Sequence, residues 1–126
     1  MGAASAGFHE ETDRLKSETI DRHRAIVSLM EELEAVDWYD QRVDATDDEA
    51  LRAILAHNRD EEKEHACMIL EWLRRRDPYF DRQLQSYLFK QGAITELEAS
   101  GAEEGSGTPE GDGSLGIGSL KQEGAR

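Results

Sequence analysis

The chain has 126 residues, enough for one small domain, which excludes a multidomain enzyme. Fifteen basic residues against 28 acidic ones give a formal charge of −13, so phosphate backbones and anionic lipid are repelled, and neither nucleic acid nor a membrane surface is expected as a partner. Hydrophobic content of 37% against 34% charge is low for a globular chain, and the distribution says why: from Glu96 onward there are seven acidic residues, two basic ones and eight of the eleven glycines. That composition predicts a disordered tail. No apolar run approaches the roughly 20 residues of a membrane span, and Met1 to Gly7 lacks the basic start and apolar core of a secretion signal, which leaves the cytosol as the expected compartment. The single cysteine, Cys67, cannot form an internal disulfide.

From Phe8 to about Tyr39 there is neither proline nor glycine, and Leu15, Ile26, Leu29, Leu33 and Val36 recur at helical intervals, so one long helix is expected. The pattern lapses over Asp40 to Ala45. Thr46, Asp47, Asp48 and Glu49 then have the Ser/Thr-x-x-Glu form of a capping box, which starts a second helix. Leu51, Ile54, Leu55, Asn58, Glu62, His65, Ile69 and Leu73 share one face of it as far as Asp77 and Pro78. Asp at the cap and proline at the first helical position open a short third helix, Pro78 to about Gln91, with Gly92 placed to end it. No alternation of a strand appears.

The expected fold is therefore all-α: two long antiparallel helices and a short third, half a ferritin-like four-helix bundle followed by a disordered C-terminal tail. A lone hairpin cannot cover both sides of its apolar stripe, so completion by a second copy, an obligate dimer, is expected. The boundaries are a helical hairpin domain over 1–97, a flexible acidic Gly/Ser linker over 98–114 and a terminal segment over 115–126.

Chemistry enters where the periodicity asks for leucine and finds something else. Glu62 and His65 occupy core-facing positions of the second helix, and Ala25, Leu29, Glu32, Val36 and Tyr39 place another carboxylate on an inward stripe of the first. Buried carboxylates need compensation. Two chains would bring four carboxylates and two imidazoles into one core, and a pair of divalent metals would offset their repulsion. Glu-x-x-His alone is a weak signal. A Glu on one helix with Glu-x-x-His on the next is the ligand set of di-iron carboxylate bundles in single copy, so the second copy must come from a partner. With the first helix ending near Asp40, Glu32 lies about eight residues from the turn and Glu62 about fifteen, an offset of roughly 10 Å. Glu32 is then expected to meet Glu62 and His65 of a neighbouring chain, unless the hairpin is sheared.

The runs Met30-Glu-Glu-Leu-Glu-Ala-Val-Asp-Trp-Tyr39 and His57-Asn-Arg-Asp-Glu-Glu-Lys-Glu-His65, with Leu115-Gly-Ile-Gly-Ser-Leu120 in the tail, resemble the encapsulated ferritins, ferritin-like cargo of bacterial encapsulin shells. The resemblance spans nearly the whole chain. It implies that Glu32, Glu62 and His65 are ferroxidase ligands shared across a subunit interface, two irons per subunit pair, with Tyr39 bordering the site. It also implies dimers assembled into an annular decamer in the lumen of an encapsulin nanocompartment in the bacterial cytoplasm, without a storage cavity of its own.

Peripheral acidic groups read two ways. Glu31 and Glu34, with Trp38 one turn beyond Glu34, either form a solvated face or collect hydrated cations, calcium among them, as they come in; the resemblance favours the second. His57, Glu61 and Glu64 line up on the outer flank of the second helix, where surface ion pairs explain them as well as the weak external metal site implied by the resemblance. In the tail, Leu115, Ile117 and Leu120 are the large apolar residues after Leu97, spaced so that an extended strand can press them into a groove, and by resemblance they are the encapsulin-targeting peptide.

The expected activity is oxidation of Fe(II) to Fe(III), with oxygen or peroxide taking the electrons and the shell storing the mineral. The alternatives are a non-catalytic metal-binding protein and a plain helical dimerisation module whose Glu and His pair with Arg22 or Arg59. A di-iron oxygenase is less favoured, because helices this acidic predict no apolar pocket.

Overall fold

The computed structural model describes residues 6–98, and these are helical apart from turns and short extended links. The expected tail, including nearly all of the linker and all of the terminal segment, lies outside the described residues. The described chain divides between Arg76 and Asp77 into two units.

In the first unit, α1 (Ser17–Ala45) and α2 (Glu49–Arg76) form an antiparallel hairpin, each helix about 42 Å long. Both ends of α1 differ from the sequence expectation. A 3₁₀ turn over Thr12–Arg14 precedes it, and Lys16 is extended, with ψ 154°. Phe8 stacks on His23 with ring centroids 4.2 Å apart, whereas a continuous helix would hold residues fifteen apart about 22 Å from each other. A missing breaker permits a helix without requiring one. At the other end, α1 runs on to Ala45, since Asp40 to Ala45 contains nothing that forbids helix, and Val43 keeps the half-buried stripe of Val36 and Tyr39 going. Asp40 also bridges to Arg59 of α2 at 3.0 Å.

The turn is closed by Asp48 and Arg52. Asp48 Oδ1 accepts the Leu51 N–H at 3.0 Å and so caps α2, while Thr46 Oγ1 accepts the Asp48 N–H at 3.2 Å within the turn. The expected reciprocal box is replaced because the Glu49 carboxylate pairs with Arg52. That arginine donates Nε to the Val43 carbonyl at 3.0 Å and Nη2 to the Thr46 carbonyl. It satisfies acceptors that the end of α1 leaves without partners.

The second unit opens with α3 (Pro78–Tyr87), where Asp77 Oδ1 accepts the N–H groups of Tyr79 and Phe80, both at 3.1 Å, and Pro78 fills the first helical position. The helix stops four residues short of Gln91. Leu88 is extended and Phe89 takes the left-handed conformation, φ 60°, that glycine commonly supplies at a helix end; Gly92, φ 96°, makes a later turn. The signal had been followed to the glycine, but the chain turns at a phenylalanine.

The hairpin has a thin core. Among the described residues only Ala66 and Leu73 are buried, at 7% and 3% exposure, while Ile26, Leu33, Trp38, Leu51, Ile54 and Met68 are exposed. With full burial of an aliphatic side chain worth about 1.5–3 kcal/mol, one hairpin leaves most of its apolar stabilisation unrealised. This is half a ferritin-like bundle. No helix among the described residues is long and apolar enough to cross a membrane.

Two predictions follow from these contacts. Arg52→Ala removes both carbonyl bonds at the turn and lowers stability by about 1–2 kcal/mol, read as a lower urea midpoint at fixed protein concentration. Near the end of α2, hydrogen bonds from Arg74 and then Arg75 hold the Glu71 carboxyl down to about 2. A carboxyl lowered in the folded state contributes stability that is present above its ordinary value of 4.5 and is lost as pH falls from there towards 2. Glu71 is 41% exposed, so solvent screening keeps that contribution below about 1 kcal/mol. Urea midpoints of wild type and Glu71→Gln should differ at neutral pH and converge as pH falls to about 2.

Candidate metal centre

Register in the hairpin sets the site. Glu32 lies thirteen residues before the end of α1 at Ala45, and Glu62 lies thirteen residues after the start of α2 at Glu49, so the two stand level across the seam. The expected offset of about 10 Å came from ending the first helix at Asp40. With the extra helical turn the hairpin needs no shear, and Glu32 meets Glu62 and His65 of its own chain. His65 Nδ1 lies 3.3 Å from Glu62 Oε1 and 3.5 Å from Glu32 Oε1. The three groups each offer a ligand atom within 4.8 Å of the others, and no other such cluster of His, Cys, Asp and Glu occurs among the described residues. They are half-buried, not buried as the periodicity predicts, because a single hairpin covers only one side of the seam.

Electrostatics bind the trio together. A hydrogen bond with Glu62 raises the Glu32 carboxyl above its ordinary value, desolvation adds to this, and His65 opposes it. The same bond, with help from His65, lowers Glu62 despite desolvation. The two carboxyls are thus pushed in opposite directions, Glu32 up and Glu62 down. Desolvation pulls the His65 imidazole down most strongly, but the Glu62 hydrogen bond and the charges of Glu32 and Glu62 together outweigh it and the net shift is upward. Arg22 bonds Thr19, and Arg59 is held by Asp40 and Asp60, so neither supplies the cation that a plain dimerisation module would need here. A compact pair of carboxylates with one imidazole is a hard-oxygen and nitrogen donor set that fits a divalent iron ion.

The other expected residues are distributed along the same helices. Tyr39 is half-buried two turns beyond Glu32, with the Arg42 guanidinium 5.3 Å from its ring centroid. Glu31, Glu34 and Trp38 are exposed and are not gathered into a ligand cluster among the described residues. His57 Nε2 comes to 3.8 Å from Glu61 Oε2 on the outer flank, while Glu64 does not complete a cluster with them. Cys67 is exposed in the single chain. Beside Glu32 lies an open groove of about 550 Å³, apolar at Ala25, Met68, Ile69 and Trp72 and polar at Asp21, Arg24 and Ser28. It exists because the seam is uncovered, and it stays open to solvent.

The sequence profile of the EncFtn-like family matches residues 7–91, which include every residue of the trio. The chain belongs to the EncFtn-like family. It is 62% identical to the encapsulated ferritin-like protein of Rhodospirillum rubrum, over 99% of this chain and 95% of that one. It is 52% identical to the ferritin-like protein of Thermotoga maritima, over 87% and 94% of the two chains. It is 34% identical to the encapsulin nanocompartment cargo protein EncC of Myxococcus xanthus, over 81% and 83%. Among solved structures, protein ne0167 from Nitrosomonas europaea superposes with a TM-score of 0.68 at 64% identity, covering 70% of this chain and 97% of that one.

Two functional links in this EncFtn-like chain were missed from sequence. Arg59–Asp40 crosses between helices nineteen residues apart, and no local spacing reveals it. Glu61, read with His57 and Glu64, also faces His65 at 4.0 Å, and here the signal was present as the four-residue steps from His57 to Glu61 to His65.

The repulsion that raises Glu32 gives a stability prediction. Glu32→Gln keeps a donor towards Glu62 permanently and removes the carboxyl repulsion. In the presence of a chelator its thermal midpoint should exceed that of wild type; a lower midpoint would show that the pair is not under electrostatic tension. Added Mn(II) should raise the wild-type midpoint and leave the variant unmoved.

Proposed function

We propose that this EncFtn-like protein is a ferroxidase whose substrate is Fe(II), with oxygen or peroxide as electron acceptor. The observation that carries the reading is the level placement of Glu32, Glu62 and His65, three donors within 4.8 Å of one another. Two copies facing each other across the uncovered seam would bring together two such sets, a di-iron site shared between subunits. A two-electron acceptor then has both electrons at hand, one from each iron, so that oxygen is reduced to peroxide or peroxide to water.

This chain's residues prepare that step by electrostatics. A cation between Glu32 and Glu62 would relieve the repulsion of their carboxylates, and His65 Nδ1, 3.5 and 3.3 Å from them, would offer the nitrogen donor. Hard anionic oxygen favours Fe(III) over Fe(II), which lowers the potential of the bound iron and drives oxidation. Tyr39 borders the site, and Glu31, Glu34 and Trp38 with the His57, Glu61 and Glu64 flank are accessory positions where calcium or other divalent cations gather. The names of the encapsulated relatives support a location in the lumen of an encapsulin shell, reached through Leu115, Ile117 and Leu120. Dimers closing into an annular decamer would display many such peptides to a many-sited shell, so that weak single contacts add by effective concentration.

The deciding experiment is aerobic Fe(II) oxidation, followed by stopped-flow absorbance, with iron content measured alongside. Glu32→Ala, Glu62→Ala and His65→Ala should each slow oxidation by about tenfold or more. A wild type that binds iron without turnover would leave a non-catalytic metal protein; a wild type that binds none would leave a dimerisation module. Deletion of residues 114–126 should abolish recovery inside co-expressed shells without changing the oxidation rate.

A further inference from the structure

His65 has carboxylates at both ring nitrogens. Its Nδ1 faces Glu32 and Glu62, while its Nε2 lies 4.0 Å from Glu61 Oε1, one helical turn earlier on α2. The second oxygen of Glu61 lies 3.8 Å from His57 Nε2, so this one carboxylate stands between two imidazoles. A histidine can give its lone pair to a cation through only one nitrogen, and the other must then carry the ring proton. In metal proteins that N–H is almost always held by a carboxylate, carbonyl or water, which fixes the ring and increases its basicity.

We propose that Glu61 is a positioning residue for His65: its carboxylate accepts the Nε2–H when Nδ1 turns its lone pair on a cation held by Glu32 and Glu62. The proposal rests on the ferroxidase reading for the identity of that cation, and on the helix geometry for the contact itself. The i, i+4 spacing presents Glu61 to the ring from outside the seam, where a modest side-chain rotation brings 4.0 Å into hydrogen-bond range. Glu61 is half exposed, so it can move without disturbing the packed face. The arrangement gives the ring a partner in both tautomers. With Nδ1–H it donates to Glu62, and with Nδ1 engaged it donates from Nε2 to Glu61. The proton therefore has an acceptor at either nitrogen, and the ring plane does not have to swing between the two states.

The test uses the full-length protein with Zn(II) as a diamagnetic probe for nuclear magnetic resonance and Co(II) for affinity. In the Zn(II)-loaded wild type, the His65 Nε2–H should be a slowly exchanging, downfield resonance. Glu61→Leu, made in a His57→Ala background so that the outer flank no longer takes a cation, should remove that resonance and weaken Co(II) binding by about tenfold, and Glu61→Gln in the same background, which keeps an acceptor oxygen, should restore most of both. His57→Ala should leave the resonance in place, because the proposed contact does not pass through His57. An unchanged resonance and affinity on adding Glu61→Leu would overturn the proposal, as would loss of the resonance in His57→Ala alone. Circular dichroism of each variant checks that the hairpin is intact. Failure of the ferroxidase reading looks different: Zn(II) and Co(II) would bind with the expected dependence on Glu61, yet Fe(II) would not be oxidised.

Discussion

The register of one helical hairpin governs the rest of this molecule. A turn of three residues, Thr46 to Asp48, joins two helices of nearly equal length, and Arg52 fastens it by bonding the Val43 and Thr46 carbonyls. Because the helices are straight rods rising 1.5 Å per residue, fixing the turn fixes the height of every side chain on both. Glu32 and Glu62 are level for that reason alone. A slip of one residue would rotate one of the carboxylates about 100° off the seam.

That register brings like charges together, which a fold selected only for stability would avoid. The carboxyls of Glu32 and Glu62 lie together, which raises Glu32, and the imidazole lies against both. Meanwhile the apolar residues that should reward the hairpin remain exposed, with only Ala66 and Leu73 buried among those described. Both shortfalls lie along the same helices. A partner chain that covers the seam would bury the exposed leucines and isoleucines, and a cation there would compensate the carboxylates. Oligomerisation and metal binding would then be two aspects of completing one half-made bundle.

The groove beside Glu32 makes the same point in apolar terms. Ala25, Met68, Ile69 and Trp72 wall it, and Arg76 stacks on Trp72 with its guanidinium carbon 4.4 Å from the ring centroid. Helices this rich in acid can still present such a surface, because composition averages over faces that the fold keeps apart.

Sequence by itself determined the elements and the chemistry. Helical periodicity without interruption, an Asp-Pro start to the third helix, and glutamate and histidine at positions that ask for leucine were all legible, because propensity and side-chain spacing are local properties of the chain. What tertiary structure decided was where the helices stop and which residues meet. The first helix passes through Asp40 to Ala45 because Arg59 and Arg52 reach back to it from α2, and its start at Ser17 follows from the stacking of Phe8 on His23. Those contacts join residues nine to nineteen positions apart, beyond the range of any local pattern. A few misplaced residues at one helix end therefore shifted Glu32 by about 10 Å in expectation, and only the folded hairpin set it beside its own Glu62 and His65.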